Sequence, residues 1–332
     1  MNLSQRKIAN EHGAEMPADF QSESEVVTSR TNVSFPIEGI TCRAWLYEPD
    51  VQVARPAPCI VMAHGLGGTR AASLEPYAER FAAAGFFVLL FDYRYLGASD
   101  GEPRQLVSIR RQLADWRAAV SFARKLPGVD PQRIGLWGTS LSGGHVVVLA
   151  SRDKEIGAVS AQCPMLDGMA SAELATARTG IRGTLRMARA ALHDIVRSLF
   201  GRAPYYVPLV AGDGQLAAMA SDRSYAGWLR IVPANARNEI AARILLSLPL
   251  YKPLRRAQQV SCPTLLIVCA NDTVVSAKAA ADAASRMKNG RAVSFPIDHF
   301  DIYKGPWFDR ACAEQVAFFC TALRVRQAKP YG

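Results

Sequence analysis

Six short, almost wholly apolar runs set the limits on what this chain can fold into: APCIVMAHG, FFVLLFDY, RIGLWG, IGAVSAQCP, CPTLLIVCAND and AVSFPID. Most are separated by longer stretches of helical period, such as LEPYAERFAAAG and SIRRQLADWRAAVSFARKL. A strand with one wet face alternates apolar and polar residues, whereas a run without alternation is covered on both faces. Apolar strands alternating with amphipathic helices therefore predict an α/β fold built on a parallel sheet. Ahead of them, VVTSRTNVSFPI and ITCRAWLYEP carry β-branched and aromatic residues around turn signals, the pattern of an antiparallel pair.

The rhythm breaks once. Residues 164–258 show helical patterns but no buried strand, and the interval is too long for a plain connection. It is predicted to be a helical lid inserted into a core of residues 26–163 and 259–332, behind a leader of residues 1–25 that is partly mobile. Within the insertion Arg182, Arg186, Arg189, His193 and Arg197 fall along one helical stripe. Leu185, Ala188, Leu192, Ile195 and Leu199 form an apolar stripe beside it, so the segment reads as an amphipathic helix. With 12 Arg and 1 Lys against 6 acidic residues, the insertion holds much of the formal net charge of +10. A solvated outer helix face is the first reading of this charge, and an entrance that attracts anions is the second.

That basic balance does not by itself mean nucleic acid. There is no Lys/Arg-rich tail, zinc-finger spacing or aromatic ribonucleoprotein motif. No run of 18 apolar residues occurs, so no membrane span is expected, and the polar N-terminus lacks the apolar run of a secretory signal. A cytoplasmic protein is expected. The seven cysteines are an odd set without CxxC spacing, mostly inside apolar runs, and read as reduced packing residues rather than a disulfide or metal framework.

The stretch IGLWGTSLSGGHVVV, residues 134–148, places two serines at a strand-to-helix turn. Such a turn exposes a nucleophile only if the residues two before, two after and three after it are small. For Ser140 these are Gly138, Ser142 and Gly143; for Ser142 the last would be His145, which crowds the strand. Ser140 is favoured and Ser142 is its rival. A serine hydroxyl needs a histidine to take its proton and a carboxylate to hold the imidazole tautomer. Of the five histidines, His12 lies in the polar leader, His193 in the basic stripe, His145 on the helix after the elbow, and His64 in the loop after a strand. His299 in SFPIDHFDIY lies after the last strand, at the sheet edge where ligands bind in such folds. Asp272 in LLIVCANDTVVS, after the preceding strand, is the favoured carboxylate. Asp167, after the strand ending near Cys163, is the alternative, and Asp298 and Asp301 sit too close to the histidine in the chain to aim at its ring. The oxyanion donors are expected to be the backbone N–H groups of Leu141, next after Ser140, and Leu66 in AHGLGGT. That glycine-rich loop lacks the lysine and spacing of a nucleotide cradle.

HGLGG, FDYRYLGASDGEP, GTSLSGG, CANDTVV and DHF, in that order, resemble the α/β-hydrolase superfamily of serine hydrolases over roughly residues 26–163 and 259–325. The branch is similar to cytoplasmic esterases, dienelactone-hydrolase-like enzymes, and the thiohydrolases and polyketide transferases of secondary metabolism. The resemblance implies a mostly parallel eight-stranded sheet and a Ser140, Asp272, His299 triad with Leu66 and Leu141 at the oxyanion hole. Ser142 stands where the superfamily usually has glycine, and Cys269 where a glycine often precedes the acid loop. The expected activity is carboxylic-ester hydrolysis, with thioester hydrolysis or acyl transfer from an acidic carrier or coenzyme A as the alternative. A peptidase and a non-catalytic binding protein follow further behind. No cofactor or metal is implied, and a homodimer is compatible with the chain. Met165, Tyr205, Tyr206 and Trp228 are candidates for substrate contact, and Tyr93, Arg94 and Tyr95 for the pocket wall or, more simply, for loop packing.

Overall fold

The computed structural model describes residues 30–49 and 53–325; the expected leader and His12 lie outside them. Eight strands form one sheet: β1 (Arg30–Ile37), β2 (Ile40–Tyr47), β3 (Ala57–Ala63), β4 (Phe87–Phe91), β5 (Val129–Thr139), β6 (Ile156–Gln162), β7 (Thr264–Cys269) and β8 (Gly290–Phe295). Their spatial order is β1-β2-β4-β3-β5-β6-β7-β8. β1 and β2 make the expected antiparallel pair, from Arg30 opposite Tyr47 to Ile37 opposite Ile40, and β2 runs antiparallel to β4. Every later pairing is parallel.

The continuous apolar runs behave as their composition requires, except the last, AVSFPID, whose strand lies at the sheet edge. Every residue of β3, β4 and β7 is buried, whereas the edge strand β8 holds only half-buried and exposed residues. Helices α1 (Glu75–Ala83), α2 (Ile109–Ala123), α3 (Leu141–Arg152), α6 (Ala277–Arg286) and α7 (Gly305–Ala322) cover the sheet, α1 packing with α7 and α2 with α3. Each fully buried Leu, Ile, Val or Phe contributes about 1.5–3 kcal/mol. Trp116, Trp137, Tyr47, Tyr77 and Tyr93 are the largest side chains fully enclosed.

Between β6 and β7 the chain forms α4 (Gly168–Leu199), α5 (Asp222–Ile231) and four two-residue strands, none of which joins the main sheet. Helix α4 breaks at Gly180, where φ is 68°. Its roll differs from the expectation. Leu185, Leu192 and Leu199 of the apolar stripe are exposed, and the helix instead turns Ala190, Ala191 and Asp194 inward. The Asp194 carboxylate is fully buried and accepts hydrogen bonds from Arg243 Nε, Arg243 N and Tyr205 N, so a buried ion pair and two small alanines fix the packed face. The seven cysteines are free thiols, five of them buried. Among the described residues, no helix is long and apolar enough to cross a membrane.

Candidate active site

The strand order reverses between β3 and β5: the chain leaves β3 for β4 on one side and returns to β5 on the other. Crevices at such points, beyond the carboxyl ends of the strands, are where open α/β sheets bind ligands. The loop at residues 64–68 follows β3 and Ser140 follows β5, so both open on this crevice.

Ser140 adopts φ 56° and ψ −119°, a conformation costing roughly 1–3 kcal/mol outside glycine. Backbone bonds hold it there. Ser140 N donates to Gln162 O at 2.9 Å, and Ser140 O accepts from Gly143 N at 3.0 Å and Met165 N at 2.9 Å. A Cβ on Gly138 would come within 2.4 Å of Ser142 O, which explains the need for a small residue two positions earlier.

His299 Nε2 lies 3.2 Å from Ser140 Oγ, and its Nδ1 lies 2.7 Å from Asp272 Oδ2. The second Asp272 oxygen accepts from the amides of Val274 and Val275, each at 2.8 Å. The His299 and Asp272 side chains are almost fully enclosed. Burial disfavours the imidazolium of His299, but the adjacent Asp272 carboxylate and the nearby Cys163 sulfur together outweigh it and raise the pKa well above that of an ordinary histidine. Burial also raises the Asp272 carboxyl, with the His299 ring and the amide donors opposing it.

The rivals are engaged elsewhere. Asp167 caps α4, accepting from Met169 N and Ala170 N. Ser142 is buried, donates to His64 O and bonds Tyr93 OH, which in turn accepts from Trp116 Nε1 at 2.7 Å. His64 is buried, with Nδ1 against Gly65 O and a pKa lowered by desolvation. His145 bonds Tyr251 OH and Gln112 Oε1, and burial pushes its pKa down to about 3. His193 is exposed and stacks on Tyr205.

Leu66 and Leu141 flank the serine. Neither backbone amide donates to another group among the described residues. A Cβ on Gly65 would lie 2.8 Å from Ser140 Cβ, so glycine is needed for the loop to approach this closely. A cavity of about 240 Å³ opens beside Ser140, lined by Leu66, Leu141, Met165, Ala217 and Val275 and by the α4 residues Ala172 and Met187. A narrower slot of about 30 Å³ joins Ser140 and His299 to Trp228 and Ile231. Met165 and Trp228 thus line space at the serine. Tyr205 and Tyr206 do not, contrary to expectation: Tyr205 packs on His193, and Tyr206 OH donates to Arg104 O at 2.9 Å. Arg94 is spent on Asp115 and Glu38, and Tyr95 on Arg111, which is loop packing.

Residues 54–296 match the family described as serine aminopeptidase, S33, and the chain belongs to that family of α/β hydrolases. It is 41% identical to the quorum-quenching protein AidA of Acinetobacter baumannii, over 92% of this chain and 99% of the relative. It is 29% identical to the polyketide transferase ATR5 of Stachybotrys chlorohalonatus, over 84% of this chain and 87% of the relative. The crystal structure of the α/β hydrolase GrgF from Penicillium sp. sh18 superposes with a TM-score of 0.75 at 24% identity, covering 89% of this chain and 99% of that one.

Two supports of the site were not read from the sequence. Asp298 Oδ1 accepts from Thr273 N, Thr273 Oγ1 and His299 N, stapling the acid loop to the histidine loop. Asp92, buried just after β4, accepts from Arg70 N and Ala98 N and pairs with Arg70 Nε, which anchors the far end of the glycine-rich loop. An acidic residue directly after the all-apolar run FFVLLF was the available signal.

Proposed function

We propose that the protein is a serine hydrolase of carboxylic esters acting through an acyl-enzyme. Ser140 Oγ attacks the acyl carbon while His299 Nε2 takes its proton, and Asp272 holds the ring with Nδ1–H directed at the carboxylate. The tetrahedral oxyanion is received by the amides of Leu66 and Leu141, each such donor being worth about 2.7–4 kcal/mol in the transition state. His299 then returns the proton to the leaving alcohol, and water releases the acid by the same route in reverse. The observation that carries this reading is His299 bridging Ser140 and Asp272 at 3.2 and 2.7 Å beside a mostly apolar cavity. Residues 164–258 act as a lid whose helix α4 forms one cavity wall, and Met165 and Trp228 contact substrate. The 41% identical relative makes quorum quenching a role this activity could serve.

A panel of acyl esters from short to long chains, run on the wild type and Ser140→Ala, tests the assignment. Ester turnover lost in Ser140→Ala is expected; full activity in that variant contradicts it. A second reading, acyl transfer or thioester hydrolysis on a carrier-bound chain, draws on the cationic insertion and on the relative named as a polyketide transferase. It requires a thioester to outcompete the matching oxygen ester, with an advantage that fades as salt rises.

A further inference from the structure

The outer side of α4 after the Gly180 break is unlike the rest of the surface. Ile181, Leu185, Leu192, Val196 and Leu199 are 66%, 62%, 56%, 50% and 77% exposed. Their offsets of 0, 4, 11, 15 and 18 place them within one narrow stripe, at 100° per residue. Phe200, 75% exposed, extends it at the helix end. Isolated exposed leucines are ordinary on a soluble protein, but a row about 28 Å long, interrupted only by the half-buried Ala188 between Leu185 and Leu192, is not.

Alongside this row run Arg182, Arg186, Arg189 and His193, all exposed. Among the described residues, none of the three arginines makes an ion pair. The only carboxylate between residues 181 and 200 is Asp194, which is buried on the opposite side and paired with Arg243. The face is therefore apolar along one line and purely cationic along the next. An antiparallel two-fold pairing with a second copy would bring both arginine rows to one edge of the seam, with no carboxylate on the helix to answer them. A surface offering both acyl chains and negative charge matches both rows at once. That combination is found at an anionic bilayer, where helices of this kind lie in the plane of the interface.

We propose that this face of α4 docks the protein reversibly onto an anionic lipid surface. Leu185, Leu192 and Leu199 enter the boundary between headgroups and acyl chains, and Arg182, Arg186 and Arg189 lie against the headgroup phosphates. Met187, on the opposite side of this helical segment, lines the cavity beside Ser140, as does Ala172 ahead of the break. Docking would thus bring that cavity close to membrane-dissolved acyl substrates; this consequence rests on the ester-hydrolase reading, and the docking does not.

Co-sedimentation of the full chain with phosphatidylcholine vesicles, with and without about a third phosphatidylglycerol, tests the proposal. Wild type and Ser140→Ala should bind the anionic vesicles equally, so failure of the catalytic reading leaves this result untouched. Arg182→Gln/Arg186→Gln/Arg189→Gln should weaken binding on the order of a hundredfold, each charge near such a surface being worth about fivefold. Leu185→Gln/Leu192→Gln/Leu199→Gln should abolish binding at raised salt; these positions are exposed, and an unchanged unfolding midpoint would exclude misfolding. Absence of binding to anionic vesicles at low salt would overturn the proposal, as would equal binding to neutral ones. So would a dimer that the leucine substitutions convert to monomer, or capture by an acidic carrier protein without vesicle binding.

Discussion

At the scale of single residues, the site depends on where one proton resides. In the proposed mechanism His299 must be neutral to accept the Ser140 proton, and Asp272 and Cys163 favour its charged form, so the base is lost as pH falls through a raised pKa. The acid limb of kcat/KM is therefore expected above the value of an unperturbed histidine. Asp272→Asn should move that limb to lower pH while cutting kcat by roughly 10⁴-fold, because the ring then takes the wrong tautomer. A pH profile of both proteins checks this, and an unmoved limb would remove Asp272 from the relay. Ser142 makes a contrasting prediction. Replacing it by Ala strips a partner from the buried Tyr93 hydroxyl and from His64 O, costing about 1–3 kcal/mol in urea denaturation. Turnover should fall far less than in Ser140→Ala. The preference for Ser140 was legible from the small residues around it, since a Cβ at Gly138 would strike the Ser142 carbonyl whatever the rest of the fold did. The Ser142 bond to Tyr93 was not legible, because it joins residues 49 apart through a hydroxyl whose direction no local pattern states.

At the scale of elements, the buried ion pair sets α4 in place. Asp194→Ala would leave Arg243 without its carboxylate; Arg243 still reaches water, so the loss should be about 2–3 kcal/mol, below that of breaking a fully enclosed pair. Denaturant midpoints would measure it, and a change under about 0.5 kcal/mol would show that the helix is held by its alanines alone. Strands β3, β4 and β7 could be read directly, because burial on both faces leaves unbroken apolar runs. The roll of α4 could not. Periodicity identifies adjacent stripes on a helix but does not say which one packs, and here the choice falls to a contact between residues 49 apart. Tyr205 and Tyr206 were misplaced for the same reason: aromatic content suggests a wall, while only the packed lid decides which wall.

For the whole molecule, the sheet order brings loops distant in sequence to one rim, and the insertion between β6 and β7 closes a cavity over them. If that cavity receives the acyl group, Ala172→Phe should leave short-chain esters nearly untouched and raise KM for long ones, and a uniform loss across chain lengths would place the acyl group elsewhere. The order of motifs made the core legible, whereas the insertion's packing has no motif to announce it. The proposed ester hydrolysis turns on Ser140 being the activated nucleophile, and covalent labelling by a fluorophosphonate, located by peptide mass spectrometry, tests this most directly. One adduct is expected, on Ser140, abolished in Ser140→Ala and strongly slowed in His299→Ala. An adduct on Ser142, or labelling of Ser140 that proceeds at full rate without His299, would contradict it.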